Sequence, residues 1–111
     1  MTEKQPGAVE KIRTTVAAWD DGETGPHRFG GLEFRVGRGE LGHLHGDRIA
    51  DLPFTRRVRD ELIAQGRAQP HHVLPESGWI TFSIDQPADV DRAIELFRLS
   101  YEAARRARRP A

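Results

Sequence analysis

The spacing of apolar residues predicts a helix near each end of the chain. From Val9 to Trp19 the apolar positions recur every three or four residues, which is the interval of one buried helix stripe. The run 20-DDGETGP-26 contains turn-forming residues that are expected to end this helix. Near the C-terminus, Pro87 is a favourable first helical residue. A second apolar stripe follows it, formed by Val90, Ile94, Phe97 and Tyr101.

Between these helices, alternation of apolar and polar residues predicts a β-meander. In 31-GLEFRVG-37 the apolar side chains face one way and the charged side chains face the other. Short glycine-containing turns lead into a second strand at 40-ELGHLHG-46 and a third at 48-RIADLPF-54. Connections this short join antiparallel strands.

A middle helix and two further strands complete the predicted order. Thr55 is a suitable N-cap for a helix that ends before Gly66. A short strand at 70-PHHVLP-75 and a strongly alternating strand at 78-GWITFSI-84 follow. The order is therefore α-β-β-β-α-β-β-α. It predicts an α+β two-layer sandwich, in which an antiparallel sheet of about five strands carries helices on one face.

The two faces of this sheet differ in character. The helices are expected to cover the face that bears Leu32, Phe34, Val36, Ile80, Phe82 and Ile84. The opposite face has no predicted cover and bears Glu33, Arg35, Trp79, Thr81 and Ser83. We therefore look for function on this open face.

Length and composition limit the alternatives. A chain of 111 residues forms one domain, which we place at residues 7–106, between a disordered tail at 1–6 and a basic tail at 107–111. The absence of cysteine excludes disulfides, thiolate metal sites and thiol catalysis. No apolar run is long enough for a membrane helix, and the N-terminus lacks a signal core, so a cytoplasmic protein without a membrane partner is expected. The formal net charge of zero argues against nucleic acid as a partner.

Two histidines on one strand are the most suggestive chemical feature. His43 and His45 point to the same side, because side chains two apart in a strand share a face. If Leu44 is a core residue, both rings join Trp79 on the open face; if Leu41 is the core residue, both rings point inward. The first register is favoured, since burying an unpartnered polar group costs about 1–3 kcal/mol. The glycines that flank the pair also permit a bulge.

A metal site is one interpretation of these histidines. One of the adjacent pair His71 and His72 can join the first two rings, with Asp47 or Asp51 as a fourth ligand. The spacing is not diagnostic, so a structural role is preferred and no cofactor is predicted. If a metal is bound, the expected ligands are His43, His45 and His72.

Three segments together resemble one family: 42-GHLHGDRIADLPF-54, 71-HHVLPESGWITFSI-84 and 87-PADVDRAIELFRLSYEAA-104. This is the small bacterial and fungal domain family named after fungal luciferase. Its features are an H-x-H strand, a later histidine before a Ser-Gly-Trp strand, and a closing helix with a tyrosine near its end. They correspond here to His43, His45, His72 (or His71), Ser77, Gly78, Trp79 and Tyr101. The element order also resembles MmcQ/YjbR-type two-layer domains, which supports the fold.

The resemblance implies little about activity. The fungal enzyme oxidises a hydroxylated pyrone with molecular oxygen, without a metal or flavin, and its chain is much longer. The leading hypothesis is therefore a small ligand-binding or interaction domain, for a small aromatic or acidic ligand or as a homodimer. The ligand-binding residues would be Arg35, His72, Ser77, Trp79 and Thr81.

Two alternatives remain, and the sequence leaves open whether the domain is an enzyme. One alternative is a cofactor-independent, oxygenase-like enzyme in which His43 or His45 is the general base, since an imidazole titrates near neutral pH. The other is a metal-binding protein that uses the histidine cluster.

Overall fold

A computed structural model describes residues 7–26 and 31–108. The elements in chain order are α1 (Ala8–Ala17), β1 (Gly22–Pro26), β2 (Leu32–Val36), β3 (Gly39–His45), β4 (Ile49–Pro53), α2 (Arg56–Ala64), β5 (Gln69–Pro70), β6 (Trp79–Ser83) and α3 (Pro87–Arg108). The tail predicted at 1–6 and the last three residues of the tail predicted at 107–111 lie outside the described residues. None of the helices in the described ranges is long and apolar enough to cross a membrane.

The predicted α+β class and antiparallel sheet are confirmed. Within residues 7–26 and 31–108 the sheet has six strands in the order β1-β2-β3-β4-β6-β5, and each pairing between them is antiparallel. This is one strand more than the sequence predicted. The additional strand is β1, whose residues had been assigned to a turn.

The turn prediction for 20–26 was therefore wrong over Gly22–Pro26. The chain turns earlier, at residues 18–21, where Asp21 adopts a positive φ of 63°. β1 then pairs with β2 in regular register. Glycine and proline are tolerated there because β1 is an edge strand, so one side of it makes no ladder hydrogen bonds.

The core lies between the sheet and the helices, on the predicted face. Phe34 of β2 and Phe97 of α3 are fully buried, and their rings lie 4.9 Å apart. Burying a side chain of this size contributes about 1.5–3 kcal/mol. The other apolar residues predicted for this face are buried or pack against the core, and they are Leu32, Val36, Ile80, Phe82 and Ile84.

A β-bulge in β3 resolves the question of register. Leu41 and Leu44 are both buried in the core although they are three residues apart. This is possible because the register between β2 and β3 shifts by one residue beside Gly42. The same shift brings Glu40 and His43, also three apart, together on the open face, where they form a hydrogen bond. The favoured register, with Leu44 inward, is confirmed, and Leu41 is inward as well.

We expect Gly42→Ala to destabilise the protein by about 2–4 kcal/mol. Gly42 has a φ of 148°, and an added Cβ would lie 2.7 Å from the Asp51 carbonyl oxygen and 2.9 Å from the Phe97 ring. Gly25→Ala is the matched control, because it has ordinary φ and no atom within 4 Å of its added Cβ. Urea denaturation measures both. Equal denaturation midpoints for the two variants would contradict the packing argument.

Candidate functional site

The open face is centred on Asp51. It lies on β4, opposite His43 of β3 and Thr81 of β6, so it occupies the middle of the sheet. Its neighbours Ala50 and Leu52 point into the core, and the alternation places Asp51 on the other side. Asp51 is nevertheless 0% exposed. A buried carboxylate requires hydrogen bonds or charge partners, because its transfer out of water is costly.

Both carboxylate oxygens of Asp51 have such partners. The Thr81 hydroxyl donates to Oδ1 at 2.7 Å. Oδ2 faces the Nε2 atoms of four histidines, and we call these rings together with Asp51 the Asp51 cluster. The Nε2–Oδ2 distances are 3.4 Å for His43, 3.1 Å for His45, 3.6 Å for His71 and 3.2 Å for His72.

The histidines reach this position from two parts of the fold. His43 and His45 share one side of β3, and their ring centroids lie 4.8 Å apart. His71 and His72 come from the loop between β5 and β6. The two adjacent rings are tilted against each other, with centroids 4.5 Å apart and planes 30° apart. The sequence allowed at most three imidazoles on one surface and left their convergence open, and the fold brings four together.

The loop replaces most of the strand predicted at 70–75, and that part of the prediction was wrong. The His71 side chain closes a turn in the loop, because its Nδ1 accepts hydrogen bonds from the backbone N–H groups of Val73 (3.1 Å) and Leu74 (3.0 Å). A side chain that bonds to nearby backbone offers the chain an alternative to a strand ladder. Both rings of the histidine pair can therefore face Asp51, which adjacent residues in a strand could not do.

Further hydrogen bonds fix the far end of this loop. Arg59 of α2 donates from Nη1 to the carbonyl oxygens of Pro75 (2.8 Å) and Ser77 (2.9 Å). The Ser77 hydroxyl donates to the Leu74 carbonyl at 2.7 Å and accepts from the Trp79 backbone N–H at 3.1 Å. Ser77 thus supports the loop and does not touch the Asp51 cluster through these bonds.

The other residues predicted for the site are divided between the cluster and more distant positions. Trp79 forms a wall of the cluster, with its ring 5.5 Å from His43 and 5.9 Å from His71. Arg35 instead pairs with Glu33 at 2.6 Å and donates to the Arg38 carbonyl. The fold therefore brings His43, His45, His72, Trp79 and Thr81 together and places Arg35 and Ser77 outside.

Between the two candidate carboxylates, only Asp51 lies in the cluster. Asp47 Oδ1 accepts a hydrogen bond from the backbone N–H of Val9 at the start of α1. Sequence reasoning missed Glu40, whose Oε2 lies 2.7 Å from Nδ1 of His43. Regular alternation puts residues three apart on opposite faces, so only the bulge at Gly42 could have indicated this pair.

The electrostatics of the cluster follow from its carboxylates. Burial lowers the pKa of His43, but hydrogen bonds and charge attraction from Asp51 and Glu40 outweigh it and raise this pKa to about 9. Burial would raise the pKa of Asp51, but hydrogen bonds from its neighbours hold it well below the usual range. For His71, burial outweighs the attraction of Asp51 and lowers the pKa.

The cluster also has the donor atoms of a metal site. Within the described ranges, two sets of ligating atoms lie within 4.8 Å of one another: His43, His45 and Asp51, and Asp51, His71 and His72. Imidazole nitrogen with carboxylate oxygen is a donor set typical of zinc and of non-haem iron. Asp51 belongs to both sets, so one ion beside it could take ligands from both parts of the fold.

Fold and site together define a small α+β domain with a histidine-rich open sheet face. A family model described as Luciferase domain matches residues 38–100, more than half of the chain, and the chain belongs to this family. Every residue of the Asp51 cluster, together with Glu40, Trp79 and Thr81, lies inside the matched range. No curated protein and no solved structure matches the chain.

We expect the metal-free protein to lose about 2–3 kcal/mol of unfolding free energy as the pH rises from 6.5 to above 9. The folded pKa of His43 is raised from 6.5 to about 9. The stability it contributes is therefore fully present below 6.5 and lost as the pH passes 9. Urea denaturation with a chelator measures this slope. His43→Gln is the control, and an equal loss in that variant would assign the slope to other groups.

Proposed function

We propose that the open sheet face binds a divalent transition-metal ion through His43, His45, His72 and Asp51. The observation that carries this proposal is that four imidazole Nε2 atoms face one oxygen, Asp51 Oδ2. A carboxylate oxygen offers about two lone-pair sites, fewer than the number of rings that face it. A cation at this position would instead accept lone pairs from several deprotonated Nε2 atoms at once.

The spacing of the donors supports the proposal. Metal–ligand bonds of about 2.0–2.1 Å in a tetrahedral site place neighbouring ligand atoms about 3.3–3.4 Å apart. The Nε2 atoms of His43, His45 and His72 lie 3.1–3.4 Å from Asp51 Oδ2. Hydrogen bonds have similar lengths, so the number of donors and not the distance alone favours a metal.

The surroundings of the donors also suit a metal. Glu40 contacts Nδ1 of His43, as carboxylates do behind metal-ligating histidines, where they fix the ring and increase its basicity. Thr81 holds the other oxygen of Asp51 in the same way. His45 and His72 have side chains that are 37% and 52% exposed, so an ion can enter between them. The same opening leaves room for an additional small ligand on the ion.

The proposal takes up the alternative of a metal-binding protein that uses the histidine cluster, and it departs from the leading hypothesis and from the expectation of no cofactor. It is also preferred to a cofactor-independent oxygenase in which His43 or His45 is the general base, and the reason concerns His43. With a pKa raised to about 9, His43 carries a proton at neutral pH in the absence of metal. It would then be an acid, whereas proton abstraction requires the neutral ring.

Isothermal titration calorimetry with Zn²⁺ and visible absorption of the Co²⁺-loaded protein test the proposal. We expect one ion per chain, and a loss of affinity of roughly 100-fold or more for His45→Ala and for His72→Ala, because each removes a ligand. Both side chains are partly exposed, so these variants should fold. Asp51→Asn should weaken binding as strongly.

Asp47→Asn is the matched control. It removes a carboxylate from the hairpin that joins β3 and β4. The described hydrogen bond of this carboxylate is with α1, away from the cluster. Its affinity for Zn²⁺ should equal that of the unchanged protein. The proposal is wrong if the protein binds no ion, or if His45→Ala and His72→Ala bind as well as the control.

A further inference from the structure

We propose that His71 is a positioning residue, locked as the Nε2–H tautomer, that fixes the loop from which His72 reaches Asp51 and does not itself ligate the metal. The metal-dependent part of this inference rests on the proposed function. The sequence could not distinguish His71 from its neighbour His72. The hydrogen bonds of the two rings separate their roles.

The tautomer of His71 follows from its Nδ1. This nitrogen accepts hydrogen bonds from two backbone N–H groups, those of Val73 at 3.1 Å and Leu74 at 3.0 Å. A ring nitrogen that accepts a hydrogen bond carries no proton. In the neutral ring the proton is therefore on Nε2, the atom that faces Asp51 Oδ2 at 3.6 Å. The ring thus accepts from its loop on one side, and on the other side its Nε2–H points toward the carboxylate at a distance longer than a hydrogen bond.

This arrangement is incompatible with metal ligation by His71. A metal on Nε2 would require the remaining proton to be on Nδ1, where it would confront two N–H donors. Both backbone hydrogen bonds would be lost, and the first turn of the loop after β5 would open. Ligation by His71 and the observed loop therefore exclude each other.

His72 differs on each of these points. Its Nε2 lies 3.2 Å from Asp51 Oδ2. The side chain of His72 is 52% exposed, whereas the side chain of His71 is 10% exposed. His72 can therefore turn toward an incoming ion without breaking the backbone of the loop. The hydrogen bonds of His71 Nδ1 close a turn that contains His72. The His71 ring therefore also fixes the backbone position of His72.

Two substitutions separate the two halves of the ring. Asn at position 71 places an amide oxygen near the Nδ1 position and should keep the loop turn, but it removes the N–H that faces Asp51. Gln places an amide nitrogen near the Nε2 position and should keep an N–H facing Asp51, but it loses the loop turn. His72→Asn is the matched control, because it removes a proposed ligand from the adjacent position.

We expect His71→Asn to bind one Co²⁺ per chain with an unchanged visible spectrum, because the donor atoms are unchanged, and with roughly 10–100-fold weaker affinity. His71→Gln should bind at least as weakly, and the amides of the loop should exchange faster with solvent. His72→Asn should alter the spectrum itself. An altered spectrum in His71→Asn together with an unaltered one in His72→Asn would reverse the two assignments and overturn the inference.

Imidazole ¹⁵N spectra at neutral pH provide the direct test. Nδ1 of His71 should resonate as unprotonated and Nε2 as protonated, both without metal and with Zn²⁺. A protonated Nδ1, or a metal-bound Nε2, overturns the inference. If no Zn²⁺ binds, the proposed function fails, but the spectrum of the metal-free protein still decides whether His71 is locked as the Nε2–H tautomer.

Discussion

The burial of one carboxylate, that of Asp51, is the constraint on which the rest of the open face depends. An ion placed in a protein interior costs several kcal/mol unless charges and hydrogen bonds replace the water it loses. Thr81 and the histidines supply this replacement from both neighbouring strands and from the loop after β5. Side chains far apart in sequence thus lie together because they all contact one buried carboxylate.

The bulge at Gly42 connects this polar site to the apolar core. A regular strand could direct only alternate residues of β3 inward. The shifted register allows Leu41 and Leu44 to fill the core while Glu40 and His43 meet above it. Gly42 approaches both the β4 backbone and the Phe97 ring of α3. The packing of α3 and the geometry of the site therefore both depend on the small size of this residue. A change in either therefore affects the other.

The sequence predicted the features that follow from regular alternation along a strand, and it missed those that depend on irregular backbone or on side-chain bonds to the backbone. Alternation in β2 and β6 predicted the sheet, its covered face and the side on which the histidines of β3 lie, and these are confirmed. Residues 22–26 were missed as a strand because turn-forming residues are also tolerated at a sheet edge. Glu40 was missed because a bulge breaks the period of two. The loop after β5 depends on hydrogen bonds from the backbone of Val73 and Leu74 to the His71 ring. The pair of adjacent histidines in the sequence did not indicate these bonds. The domain limits at 7 and 106 stay predictions.

Membership of the Luciferase domain family and the chemistry of the cluster are separate conclusions, because one fold can carry unrelated sites. The second depends on charge. With neutral imidazoles, Glu40 and Asp51 give the site two negative charges, which His43 connects through its two ring nitrogens. In the metal-free protein part of this excess is offset by a proton, which is why the pKa of His43 rises to about 9 despite burial. The proposed divalent cation would offset both charges and would accept lone pairs from several of the converging rings. The proton and the proposed metal would thus be two responses to the same excess of negative charge.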